Sequence, residues 1–135
     1  MASRTQRFLR AHPRDAAGDI DALAECVERL AECARACTAC ADACLGEIDV
    51  RDVVTAIRRA LDCADVCAMA ERVLTRRTEA DPEVDRSVLE ACLLSCKVCA
   101  LECARHADSQ EHCRLCAEAC QAGAEACRRL LATLP

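Results

Sequence analysis

The spacing of the cysteines is the feature of this sequence that most restricts its fold. Residues 33–44 read CARACTACADAC, residues 92–103 read CLLSCKVCALEC, and residues 113–120 read CRLCAEAC, so neighbouring cysteines are three or four positions apart. Alternating steps of three and four return to the same side of an α-helix, whereas a strand repeats every two residues. The spacing therefore predicts helices on which one face consists of thiols.

The residues between the cysteines argue against a metal-binding loop. Zinc knuckles and ribbons place glycine or polar turn residues between their cysteine pairs, and ferredoxin cluster loops often end in Cys-Pro. The segment CTACADAC has no glycine and no Cys-Pro, and its main filler is alanine. Because alanine has the highest helix propensity, the fillers favour a helix over a loop.

Glycines and prolines are rare, and they divide the sequence into an arm and four helical segments. Pro13 and Gly18 separate residues 1–18, predicted as an arm or short helix, from the bundle predicted at residues 19–135. Further breaks occur at Gly46, Pro82 and residues 106–112, so the predicted helices span 19–45, 50–79, 83–107 and 110–133. Short connections make neighbouring helices antiparallel. The predicted fold is an all-α, antiparallel, up-down-up-down four-helix bundle.

All fifteen cysteines fall on inward stripes of these helices, and we predict each as a metal ligand. They are Cys26, Cys33, Cys37, Cys40 and Cys44 on the first helix, Cys63 and Cys67 on the second, Cys92, Cys96, Cys99 and Cys103 on the third, and Cys113, Cys116, Cys120 and Cys127 on the fourth. One buried cysteine is commonly a small apolar residue. Fifteen are not explained this way, because bundle cores normally use the larger Leu, Ile and Val. We therefore predict a thiol-lined interior that holds metal ions.

Pairs of cysteines at positions i and i+4 indicate which metal is favoured. Soft thiolates select Cu(I), then Zn(II) and iron–sulfur clusters. Zinc needs four ligands in a tetrahedron, so these thiols would serve only about three or four zinc ions, whereas Cu(I) accepts two or three sulfurs. Six such pairs are present: Cys33/Cys37, Cys40/Cys44, Cys63/Cys67, Cys92/Cys96, Cys99/Cys103 and Cys116/Cys120. So many similar sites indicate capacity for multiple Cu(I) ions per chain, and we predict a protein that is not an enzyme.

Charge and hydropathy restrict the partners and the compartment. The net charge of −5 argues against nucleic acid binding. The sequence contains neither the apolar run of a signal peptide nor an apolar stretch long enough to span a membrane. We therefore expect a cytoplasmic protein without a membrane partner, in a compartment where thiols stay reduced.

The segment 19–135, with its cysteine stripes and repeated C-x-x-x-C pairs, resembles the cytosolic bacterial copper storage proteins, a family of cysteine-rich four-helix bundles. The resemblance implies Cu(I)–thiolate clusters along the core, storage or sequestration in copper homeostasis and detoxification, and homotetramers. A copper chaperone is a candidate partner. The second helix departs from the pattern because it carries only two cysteines. Its second apolar stripe, formed by Val50, Val54, Ile57 and Leu61, agrees with an oligomer interface.

Other protein classes stay open on the sequence alone. They are a zinc or iron–sulfur binding protein, a thiol redox protein, and a structural bundle with incidental cysteines. A redox C-x-x-C pair normally lies at a helix N-terminus, which lowers the pKa of one thiol. Cys37 and Cys40 lie in the middle of a predicted helix, and only Cys113 and Cys116 begin one.

Two histidines mark the end of the bundle at which we expect metal to enter. The connections 46–49 and 106–111 share one end in this topology, and His106 and His112 lie there. Imidazole binds Cu(I) and can pass it to deeper thiolates, so both histidines are predicted metal ligands. The opposite end is predicted to be closed by inward leucines: Leu23, Leu30, Leu74, Leu89, Leu130 and Leu134.

Overall fold

The computed structural model of the protein describes residues 1–14 and 18–135, and that part of the chain contains helices but no strand. The helices are α1 (Arg4–Arg10), α2 (Ile20–Leu45), a 3-10 helix (Val50–Val53), α3 (Val54–Thr75), α4 (Pro82–Ala104) and α5 (Glu111–Thr133). Helices α2 and α4 each pack against both α3 and α5, so the four long helices surround one core. The predicted all-α four-helix bundle is confirmed.

Side-chain caps explain where two of the long helices begin. The Asp19 carboxylate accepts a hydrogen bond from the Ala22 amide at 3.0 Å at the start of α2. Asp81 does the same for the Glu83 amide at 2.9 Å, and Pro82 occupies the first turn of α4. Caps of this kind satisfy amides that have no partner within the helix.

The second long helix is shorter at both ends than the sequence predicts. Residues 50–53 form a 3-10 helix, and α3 ends at Thr75, although the pattern indicates helix to residue 79. The Arg77 guanidinium makes two contacts with the Asp85 carboxylate, at 3.0 and 3.1 Å, and both side chains are largely buried. The chain leaves the helix before Arg77, which pairs there with the start of α4. The helical repeat of the sequence does not reveal such an ion pair, so it did not indicate that the helix ends early.

The N-terminal region contributes a short helix outside the bundle. Leu9 of α1 is buried, and Arg10 pairs with Asp21 of α2 at 2.9 Å. The division of the chain at residue 18 stays a prediction, since residues 15–17 of the predicted arm lie outside the described residues. Among the described helices, none has the length and apolar character needed to cross a membrane.

Candidate metal centre

Helix geometry places every thiol in the interior. All fifteen cysteines lie within the described residues, all are free thiols, and none is more than 2 % exposed. The largest fully buried side chains beside them are few: Leu30, Leu74, Leu89 and Val53. The predicted inward position of the fifteen cysteines is therefore confirmed, and sulfur supplies much of the core that aliphatic side chains normally fill.

The sulfur atoms contact one another both within and between helices. Three of the predicted i, i+4 pairs are in contact: Cys33–Cys37 at 3.8 Å, Cys63–Cys67 at 3.7 Å and Cys99–Cys103 at 3.9 Å. Contacts between helices are as close: Cys67–Cys92 at 3.4 Å, Cys37–Cys120 at 3.6 Å and Cys33–Cys120 at 3.7 Å. Packing thus gives the thiols additional partners across the bundle.

Among the residues that the structure describes, five groups of side chains have all their ligand atoms within 4.8 Å of one another. They are Cys33/Cys63/Cys67/Cys96, Cys33/Cys37/Cys63/Cys120, Cys37/Cys99/Cys116/Cys120, Cys40/Cys103/Cys116 and Cys40/Cys44/His112/Cys113. In this order each group shares at least one cysteine with the next. The groups therefore form one continuous thiol column, which ends at His112.

The three remaining cysteines extend the column beyond these groups. The Cys92 sulfur lies 3.4 Å from that of Cys67. The neighbouring thiols of Cys26 and Cys92, together with burial, raise the pKa of Cys127. These cysteines lie toward the leucine end, where five of the six predicted leucines line one pocket: Leu23, Leu74, Leu89, Leu130 and Leu134. Leu30 lies deeper, beside Gly123, and the closure of this end stays a prediction.

His112 lies at the other end of the column, with its two ring nitrogens in different surroundings. Its Nδ1 is 3.4 Å from the Cys40 sulfur, 3.6 Å from that of Cys113 and 4.0 Å from that of Cys44. Its Nε2 is 2.9 Å from a carboxylate oxygen of Glu47, in the connection after α2. This residue therefore presents one nitrogen to the thiols, as a metal ligand would.

His106 occupies a different position. Its Nε2 lies 3.0 Å from a carboxylate oxygen of Glu102, one helical turn earlier, and His106 belongs to none of the five groups formed by the described residues. The structure thus brings one of the two predicted histidines to the thiols. The role of His106 as a ligand stays a prediction.

Thiols near His112 hold their protons in the absence of metal. Burial raises the pKa of the Cys44 thiol. Burial and the nearby sulfur of Cys44 raise the pKa of Cys113 to about 12. Since a thiolate is the form that binds metal, any ion bound here must displace protons.

Gly123 occupies an inward position of α5 between Cys120 and Cys127. A Cβ atom at this position would lie 3.2 Å from the Cys96 sulfur and 3.5 Å from Cδ2 of Leu30. The missing side chain therefore lets α5 approach the first group of the column closely.

A family model described as copper storage protein matches residues 19–132. The chain belongs to the copper storage protein family. The match covers all fifteen cysteines and both histidines of the predicted site.

Solved structures of two relatives agree with this assignment. The copper storage protein Ccsp from Streptomyces lividans, solved with 10 copper equivalents, is 51 % identical, with a TM-score of 0.95 over 96 % of this chain and 99 % of that one. Another structure, of a cytosolic copper storage protein from the same organism with five coppers, is 53 % identical, with a TM-score of 0.84 over 85 % and 96 % of the two chains. The Cu(I)-bound copper storage protein BsCsp3 is 31 % identical, with a TM-score of 0.70 over 78 % and 94 %.

A curated relative matches over a shorter stretch. The cysteine-rich protein YhjQ of Bacillus subtilis is 33 % identical over 76 residues, which are 56 % of this chain. The match spans 65 % of the length of that relative.

Glu47 belongs to the site in this copper storage family member, but the sequence analysis does not identify it. It stands 65 positions before His112, in a connection without a helical repeat, so no local spacing pairs the two. Only its place just after Cys44, at the end predicted to hold the histidines, pointed toward the site.

Proposed function

We propose that this protein stores and sequesters multiple Cu(I) ions through the cysteine thiolates of its core and so serves copper homeostasis and detoxification. The observation that carries the proposal is the continuous column of buried thiols, in which consecutive groups share ligands. Soft thiolate sulfur is the preferred ligand of Cu(I). The ions are cargo that the column holds, and no catalytic step is part of the proposal.

The sharing of ligands favours copper clusters over separate zinc sites. Six cysteines belong to two groups each: Cys33, Cys37, Cys40, Cys63, Cys116 and Cys120. Bridging sulfurs suit Cu(I), which needs only two or three of them. Zinc would need groups without common members, and the five groups provide three: Cys33/Cys63/Cys67/Cys96, Cys37/Cys99/Cys116/Cys120 and Cys40/Cys44/His112/Cys113. Zinc binding is therefore the second candidate, with a ceiling of about three ions per chain.

The proposed ligands are the fifteen cysteines together with His112, which we place at the end where copper enters. The half-buried His112 ring connects the surface with the first thiols of the column. His106 lies at the same end of the bundle and is retained as a predicted ligand. The Streptomyces lividans relative is described as cytosolic, which supports a cytoplasmic location here. Delivery by a copper chaperone is a further part of the proposal.

An anaerobic Cu(I) titration against a chromophoric chelator tests the proposal. We expect binding on the order of one ion per thiol, because shared sulfurs let ions and thiols approach equal numbers. Cys37→Ala, which removes a member of two groups, should lower this capacity more than Cys26→Ala, which removes a thiol outside them. Saturation near three ions would contradict copper storage and favour the zinc alternative.

We further propose that the protein is a homotetramer. Val54 and Leu61 of α3 are 56 % and 46 % exposed, and the half-buried Val50 and Ile57 continue their stripe. An apolar stripe of this kind is typical of a surface covered by another subunit. We propose that this stripe packs against another copy of the same chain.

Light scattering coupled to size exclusion tests the tetramer. We expect a mass about four times 14.6 kDa, falling toward that of the monomer in a Val54→Asp/Leu61→Asp variant. Leu115→Asp, a change at an exposed leucine of α5, is the control and should leave the mass unchanged. A monomeric parent protein at micromolar concentration would remove the proposed interface.

A further inference from the structure

The contact between Glu47 and His112 joins two distant parts of the chain at the end of the thiol column. Glu47 lies in the connection between α2 and the 3-10 helix, and His112 lies in the first turn of α5. The Glu47 carboxylate oxygen is 2.9 Å from Nε2 of His112, and the two side chains are 33 % and 24 % exposed. The pair is therefore accessible from solvent while remaining in contact with buried thiols.

The hydrogen bond determines which ring nitrogen faces the thiols as an acceptor. An ionised carboxylate can only accept hydrogen bonds, and a neutral imidazole carries a hydrogen on one nitrogen. With Glu47 accepting from Nε2, the lone pair is on Nδ1. That atom lies 3.4 Å from the Cys40 sulfur and 3.6 Å from the Cys113 sulfur.

We propose that Glu47 is the positioning residue for copper uptake, holding the His112 ring with its Nδ1 lone pair directed into the Cys40/Cys44/Cys113 group. This inference rests on the proposed function, because it assigns Glu47 a part in the loading of the column. Rotation about the bond that carries an imidazole ring is soft, so without a partner on Nε2 the ring can turn Nδ1 away from the sulfurs. A carboxylate on the far nitrogen of a metal-binding histidine commonly fixes both tautomer and orientation.

The chain offers a matched control for the loss of charge. Asp49 lies in the same connection, is also acidic, and contacts Arg51 rather than the histidine, at 3.3 Å. Asp49→Ala therefore removes the same charge from the same end without touching the proposed hydrogen bond. Glu47→Gln does the reverse, since the amide oxygen still accepts from Nε2 while the charge is lost.

The decisive experiment measures the rate of Cu(I) transfer from a chromophoric chelator by stopped flow, without oxygen. We expect Glu47→Ala to slow uptake about tenfold with total capacity retained, which is the low end of the effect that such carboxylates have on metal affinity or activity. Glu47→Gln and Asp49→Ala should load at the rate of the parent protein. Combining Glu47→Ala with His112→Ala should slow uptake no further than His112→Ala alone, because both remove the same Nδ1 ligand.

A second measurement detects the positioning without copper. In nitrogen-15 spectra of the metal-free protein, the hydrogen-bonded Nε2 proton of His112 should be observed in the parent and in Glu47→Gln, and be lost in Glu47→Ala. If Glu47→Ala takes up copper at the rate of the parent protein, and the parent binds on the order of one ion per thiol, the positioning role is wrong and copper storage stands. Saturation at three ions with uptake still slowed in Glu47→Ala would overturn storage and support the positioning of His112.

Discussion

Loading the protein with Cu(I) should raise its melting temperature by at least about 20 °C over the metal-free bundle. A ligand that binds only the folded state stabilises it by about 2.7 kcal/mol per site at one hundred times its dissociation constant. One kcal/mol shifts the melting temperature of a domain of this size by roughly 3 °C. Several ions in the column therefore add up to a large shift, which circular dichroism at 222 nm would record.

The metal-free protein is the reference for this prediction, and it should already be helical. Alanine, leucine, glutamate and arginine favour helices, and protonated cysteines act as small apolar residues. Removing copper with excess chelator should return the melting temperature to its metal-free value. A shift below about 5 °C at saturation would mean that the ions do not occupy the core, because surface sites join no helices together.

Alkaline solution should destabilise the metal-free protein and spare the copper-loaded one. The Cys113 pKa is raised from its ordinary value of 9.0 to about 12, mainly by burial, and burial also raises that of Cys44. The unfolded chain loses these protons near pH 9, whereas the folded chain keeps them. The stabilisation is therefore fully present below about pH 9 and is lost progressively as the pH rises toward 12.

The composition makes this measurement specific for thiols. The chain has no tyrosine, and Lys97 is its single lysine, so few other groups titrate between pH 8 and 12. One pKa unit corresponds to about 1.4 kcal/mol, so the rise at Cys113 by itself is a sizeable part of the roughly 5–15 kcal/mol that stabilises a domain. Urea unfolding at pH 8 and pH 11, with thiolate absorbance at 240 nm, would follow the effect.

Two controls accompany the alkaline experiment. Cys113→Ala should lose less stability between pH 8 and pH 11 than the parent, because it has one buried thiol fewer to ionise. The copper-loaded protein should keep its stability, since metal-bound sulfur has already given up its proton. Equal urea midpoints of the metal-free parent at both pH values would contradict the prediction.

The sequence by itself determined the helices and the direction in which the thiols point. Steps of three and four, with alanine between them, admit one regular structure, and they placed Cys33, Cys37, Cys40 and Cys44 on one face. Helical position is a local property, set by backbone geometry within a few residues. For this reason the bundle and its thiol-lined interior followed from the pattern, whereas the family rested on a resemblance to known cysteine-rich bundles.

Only the tertiary structure decided which thiols meet across the bundle and which histidine joins them. The contact of Cys37 with Cys120, that of Arg77 with Asp85, and that of Glu47 with His112 bring together residues on different elements. Such contacts depend on the register in which the helices pack and on the path of each connection. A helical repeat records the face of a residue but not its height relative to a neighbouring helix, so His106 and His112 looked alike in sequence and differ in the folded chain.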